Sequence, residues 1–122
     1  MKTWTFSSKS YPCPIALTAN LLSSRWRTNV LWFIWTGTNR FNQISRQMPQ
    51  LNQGVLMRVL RELEADGLIS RKEHGPRPAP VEYSLTDLGQ SLGPLLARMA
   101  EWGRGHGTLV ETEGQTLKEA VN

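Results

Sequence analysis

Residues 52–69, NQGVLMRVLRELEADGLI, constrain the fold more than any other segment of this chain. Val55, Leu56, Val59, Leu60 and Leu63 recur at helical spacing and make a wide apolar stripe. Asn52 is suited to accept from the free N–H groups of a first helical turn, and Asp66-Gly67 supplies a left-handed stop. At the α-helical rotation the five apolar residues cluster near about 70° from Val55, whereas Gly54, Met57, Arg58 and Arg61 lie between about 200° and 300°. A chain that buries the first face turns two guanidiniums, a thioether and a bare backbone position outward. Arginine pairs bidentately with guanine and with phosphate, and a helix fits the DNA major groove. The competing reading is a merely solvated face, with Arg58 pairing to Glu62 at i+4 spacing.

The flanking sequence predicts a set of short elements. Residues 1–12 read as an extended arm ending in Tyr11-Pro12-Cys13-Pro14, where the prolines disfavour helix in the residues before them. Pro14 can open a helix through IALTANLL, and Ser23 or Ser24 can cap a second, RWRTNVLWFIW, whose Trp26, Val30, Phe33 and Ile34 share a face. Gly37 closes that helix. Asn42 can cap a third through QISRQ, with Ile44 and Met48 pointing inward and Pro49 as its stop. Two short helices about a tight turn, the second capped and amphipathic, make the helix-turn-helix pattern. Leu68 to Lys72 and VEYSL then read as a β-hairpin with a basic, proline-stiffened tip. Thr86 caps a last helix from Asp87 to about Trp102, with Leu88, Leu92, Leu95, Leu96, Met99 and Trp102 on one face and a possible kink at Gly93-Pro94. The expected organisation is an arm (residues 1–12), one domain (13–104) and a flexible Gly-rich tail (105–122).

Bulk properties narrow the function. The 122 residues suffice for one modest core. Charge is divided unevenly: residues 1–61 hold eight Lys or Arg and no acid, whereas residues 62–122 hold six basic and ten acidic residues. Such a basic half suits a polyanionic partner. No apolar run approaches the roughly 20 residues of a membrane span, and MKTWTFSSKS lacks the apolar core of a secretory signal. A cytoplasmic, nucleoid-associated protein with no membrane partner is therefore expected. The single cysteine, Cys13, excludes an intrachain disulfide framework and a multi-cysteine zinc cage. At a helix start a thiol feels the positive end of the dipole, which favours thiolate, although a lone cysteine is commonly a small packed hydrophobe. No paired carboxylates, HExxH or phosphate-binding glycine motif is present, so neither an enzyme nor a metal or cofactor is expected.

The order of elements reads as a winged helix-turn-helix, mainly α with a small β-hairpin wing. The wording is closer still. Cys13-Pro14, Trp26, Arg40-Phe41, LRELEADGLI (residues 60–69), VEYSLT (81–86) and Gly89 resemble the HxlR family of bacterial transcriptional regulators, within the MarR-like superfamily, over about residues 12–104. The resemblance implies a homodimer on double-stranded operator DNA, acting as repressor or activator, with the helix after Asn52 in the major groove. It places Gln53, Gly54, Met57, Arg58 and Arg61 at the DNA, with Lys72, His74 and Arg77 reaching it from the wing. It implies dimerisation through the first and last helices, here Ile15, Leu17, Leu21 and Leu22 with Leu88, Leu92, Leu95, Leu96, Met99 and Trp102. It also implies that Cys13 can sense oxidants or electrophiles, with any other small-molecule effector left open. Asn52, Gly54 and Met57 stand where the family usually has serine, a basic residue and threonine, so the operator does not carry over. Trp32, Phe33 and Trp35 depart from the family too, adding apolar surface for a dimer or a ligand pocket. The alternative is a winged-helix module that docks protein instead of DNA.

Overall fold

The computed structural model describes residues 2–23, 26–76 and 80–111. Its elements are β1 (Trp4–Phe6), β2 (Lys9–Tyr11), α1 (Pro14–Leu22), α2 (Arg27–Trp35), α3 (Phe41–Gln47), α4 (Gln53–Ala65), β3 (Ile69–Glu73), β4 (Val81–Leu85), α5 (Asp87–Ser91) and α6 (Gly93–His106). Four of the five apolar residues of the α4 stripe are buried as expected, and Val55 is partly buried against them. Leu56, Val59, Leu60 and Leu63 pack with Val30, Leu31 and Ile34 of α2, Ile44 of α3 and Met48 just beyond it, and Leu68, Ile69, Tyr83 and Leu96. Each such side chain contributes roughly 1.5–3 kcal/mol by leaving water. Trp26 and Phe33 are only partly buried, and Leu31 takes a central place instead.

The described residues form a winged helix-turn-helix. The wing pairs β3 with β4 in antiparallel register, Ile69 opposite Leu85 and Glu73 opposite Val81. Residues before α3 add a rudimentary third strand: Arg40 bridges to Glu82, and the Tyr83 N–H donates to the Asn39 carbonyl at 2.8 Å. Asn52 caps α4 as expected, its Oδ1 accepting from the Val55 N–H at 2.8 Å. Gly37 (φ +108°) and Gly67 (φ +76°) take the left-handed conformation after α2 and α4.

Several boundaries differ from the sequence reading. The arm folds back as the hairpin β1–β2, turned at Ser7 and Ser8 with φ of 49° and 67°. Two consecutive positive φ values are the geometry that matches strand twist in a two-residue turn. Serine is not a favoured residue there, but the Ser7 hydroxyl gains a hydrogen bond to Asp66 Oδ1 at 2.8 Å. Ser23 finishes α1 rather than starting α2, donating to the Asn20 carbonyl at 2.8 Å; Ser24 lies outside the described residues. Helix α3 begins at Phe41, so Asn42 is inside it and not its cap.

The last helix is two helices. Thr86 caps α5, accepting from the Gly89 N–H at 3.1 Å while donating to the Gly67 carbonyl at 2.6 Å. The break falls at Leu92, where Pro94 fits the first turn of α6. Helix α6 runs past Trp102 to His106, whose ring stacks on Trp102 with centroids 4.4 Å apart.

Two glycines permit close approaches. A Cβ on Gly89 would lie 2.0 Å from the Leu68 carbonyl oxygen, and one on Gly93 would lie 2.5 Å from the Trp35 ring. The first obstacle is backbone and cannot swing aside. Gly89→Ala should therefore destabilise the protein by about 1–3 kcal/mol, the range for overpacking, read as a lower urea midpoint with an unchanged denaturant slope.

Candidate nucleic-acid interface

Burying one side of α4 determines what the other side offers. Gln53, Gly54, Arg58 and Arg61 are exposed and Met57 is half-buried, so the outward face assembles as expected. The Arg58 side chain is 67% exposed and stands 3.9 Å from the Glu62 carboxylate. The pairing weighed against a DNA role therefore exists, but at that distance and exposure it is worth little and leaves Arg58 free to move to a phosphate.

Strand parity sorts the wing residues. Side chains alternate across the sheet, so Arg71 shares the face of Ile69 and Tyr83, while Lys72 points to the opposite side with Ser70 and Ser84. Arg71, missed by the sequence reading, lines a cleft of about 380 Å³ with Met57, Arg61, Glu64 and Tyr83. The neighbouring Glu73 carboxylate, 2.9 Å away, and then the Tyr83 hydroxyl push its pKa up. Two guanidiniums thus flank the groove between α4 and the wing. Lys72 and His74 are exposed, with Lys72 opposite Glu82 in the ladder and His74 Nε2 3.6 Å from the Glu82 carboxylate. Arg77 lies outside the described residues.

Cys13 is exposed at the N-cap of α1, its Sγ accepting from the Ala16 N–H at 3.4 Å. Of the apolar residues assigned to a dimer surface, Leu96 is only 2% exposed and belongs to this chain's own core. Leu21, Leu22 and Leu92 lean on that core, and Leu17 is half-buried. What remains open is Ile15, 79% exposed on α1, with Leu88 on α5 and Leu95, Met99 and Trp102 along α6. Among the described residues, no helix is long and apolar enough to cross a membrane.

The family model described as HxlR-like helix-turn-helix matches residues 21–111. The chain belongs to that family. A similar relative, the HTH-type transcriptional regulator YkvN of Bacillus subtilis, is 37% identical over 107 residues, spanning 88% of this chain and 91% of YkvN. The oxidised form of the redox regulator HypR superposes with a TM-score of 0.73 at 36% identity, covering 80% of this chain and 100% of that one. The reduced form of YodB from B. subtilis gives 0.65 at 27% identity, covering 83% and 100%. This HxlR-family member is thus a transcriptional regulator of the helix-turn-helix type, and its relatives are regulators, not enzymes.

In this HxlR-family protein the acidic end of α4 is tied to two distant segments of the chain. Asp66 pairs with the half-buried Arg27 of α2 and accepts from Ser7 of the N-terminal hairpin, while Arg27 also stands 3.9 Å from Glu62. Burial opposes charge on Asp66, but the hydrogen bonds from Arg27 and Ser7 and the charges of Arg27 and Lys9 outweigh it. The carboxyl is held below its usual value of 3.8. A carboxylate with a depressed folded pKa stabilises the fold above its unfolded pKa, and that contribution is lost as pH falls through the folded value. Asp66→Asn should therefore be less stable than the parent at pH 7 and should lose less stability on acidification below about pH 4, as measured by urea midpoints across that range.

Proposed function

We propose that this protein is a homodimeric, sequence-specific DNA-binding regulator that inserts α4 into the major groove and rests its wing on the neighbouring minor groove or backbone. The observation that carries the reading is the outward face of α4: Arg58 and Arg61 on an asparagine-capped helix whose opposite side is locked in the core. Arg58 and Arg61 pair with guanine edges or phosphates, Gln53 and Met57 meet base edges, and Gly54 lets the backbone approach. Lys72, His74 and Arg77 reach DNA from the wing, and Arg71 joins Arg61 at the cleft between them. The exposed stripe of Ile15, Leu88, Leu95, Met99 and Trp102 receives the second chain. Two-fold pairing then requires half-sites roughly 34 Å apart, or a multiple of that spacing. Such a regulator acts on the chromosome, in the cytoplasm.

Sensing through Cys13 is the second part of the proposal. The thiol is exposed at the start of α1, the helix that also carries Ile15, and the similar HypR and YodB are a redox regulator and a transcriptional regulator with a diamide-treated form. A quinone suffices as reactant: the S–H bond breaks as the sulfur bonds to a ring carbon, the thiol proton ends on one quinone oxygen, and the hydrogen of the attacked carbon moves to the other, giving the hydroquinone thioether. The adduct then disturbs the pairing surface that α1 carries at Ile15.

Affinity for an operator selected from random duplexes should fall linearly in log K against log salt. Arg58→Ala and Arg61→Ala should each flatten that slope by about 0.9 if each arginine neutralises one phosphate. Anisotropy titrations at several salt concentrations check this, and a flat response in the parent would return the fold to protein docking. Cys13→Ser should keep its DNA in quinone where the parent releases it; equal release by both proteins removes the sensing role.

A further inference from the structure

The sheet of the wing turns one face inward, where Ile69 and Tyr83 enter the core, and the other face away from α4. Residues directly opposite one another in neighbouring strands share a face. Glu82 stands opposite Lys72 on one side and opposite Arg40 on the other, so the three form a row across the outward face. His74 has the same parity and brings its Nε2 to 3.6 Å from the Glu82 carboxylate. Ser70 and Ser84, joined through their hydroxyls at 2.9 Å, lie next to the row. Arg40 belongs to the residues before α3, and only the pairing with β4 brings it beside the hairpin.

Among the described residues of this face, Glu82 is the one carboxylate in a row with Arg40, Lys72 and His74, all three exposed. Arg71 and Glu73 have the other parity and belong to the α4 side. The outward face is therefore positive even with His74 neutral. Neighbouring strands lie about 4.8 Å apart, which sets the Arg40 and Lys72 backbones roughly 10 Å from each other with Glu82 between them. A carboxylate in that position relieves the repulsion of the two cations without cancelling both. Two long cationic side chains spread in this way do not converge on one small anion. They suit a line of anions.

We propose that this outward face grips the far phosphate backbone of the minor groove on which the wing rests, and that Arg40 is a DNA-contacting residue. The inference rests on the DNA-binding reading above and assigns the two faces of the wing to different backbones. A minor groove, about 6 Å wide, is bordered by two phosphate ridges. A hairpin seated on it turns its α4 side to the near ridge and its outward side to the far one. Arg71 attends the near ridge from the cleft it shares with Arg61, while Lys72 and Arg40 attend the far ridge. Contacts of this kind carry no base sequence; they fix the register and orientation of α4 in its groove. They also extend each half-site outward, past the base pairs that α4 reads.

The test uses the full chain with two duplexes: a selected operator, and the same operator carrying neutral methylphosphonates along the outer backbone of each flanking minor groove. On the unmodified operator Arg40→Gln should flatten the slope of log K against log salt by about 0.9, and Arg40→Lys, which keeps the charge, should retain the parent slope. On the methylphosphonate duplex the parent and Arg40→Gln should share one slope, whereas Arg58→Ala should still flatten its own by about 0.9. Equal slopes for the parent and Arg40→Gln on the unmodified operator would overturn the contact. So would a difference that persists undiminished on the neutralised backbone, because it would reflect overall charge and not a local phosphate. A loss shared by Arg40→Lys would assign Arg40 to the fold and overturn the proposal as well. A parent that binds no duplex at all overturns the DNA-binding reading itself, and this inference with it; a parent that binds while Arg40→Gln matches it overturns the inference alone.

Discussion

Leu56, Val59, Leu60 and Leu63 must leave water together, and that requirement orients the molecule. The four lie on one side of α4, so they can be buried only by presenting the opposite side outward. Helices α2 and α3 and the wing supply the other half of that core, through Val30, Leu31, Ile44 and Tyr83. The position of the wing beside α4 follows from the same packing, because Tyr83 is in the core while its ladder partner Arg71 stays at the edge. The outward face of α4 is here the complement of a hydrophobic one.

What could be read from the sequence was what is local. The Asn52 cap, the Gly67 stop, the Thr86 cap and the alternation of VEYSL each depend on residues within a few positions of one another, and each occurs as expected. The N-terminal hairpin escaped because three-residue strands show almost no alternation and Ser7-Ser8 is not the Asn-Gly or Asp-Gly pair that marks such a turn. Ser23 misled because a side chain that can cap does not reveal which helix end it serves, and Asn42 because α3 starts one residue before it. At the site, the outward residues of α4 were legible from periodicity alone. Arg71 was not, since ladder parity had to be known before it could be separated from Lys72. Leu96 belonged to the right stripe by spacing, yet it turns into its own core. The role of Asp66 depends on Arg27, 39 residues away, and no local pattern carries that distance.

That long-range anchor organises the N-terminal part of the fold. Asp66 ends α4, Arg27 begins α2, and Ser7 turns the hairpin that leads through Cys13 into α1. Three segments far apart in the chain therefore converge on a single carboxylate at the end of the outward-facing helix. Such a junction links whatever happens to the first dozen residues with the pose of α4, by polar contacts that can exchange partners more readily than a packed core can.

The indole of Trp35 seated on Gly93 has a different kind of consequence. Ring and backbone approach with no side chain between them, at the point where α6 sets out from the helix-turn-helix. This leaves α6 little freedom to slide or roll on α2. In a molecule paired along α6, as proposed above, the angle between the two helix-turn-helix units would be set by that seat together with Leu96 in the core. Methyl-sized changes there would act as a gear, altering the pitch at which two grooves are met without touching any residue that meets them.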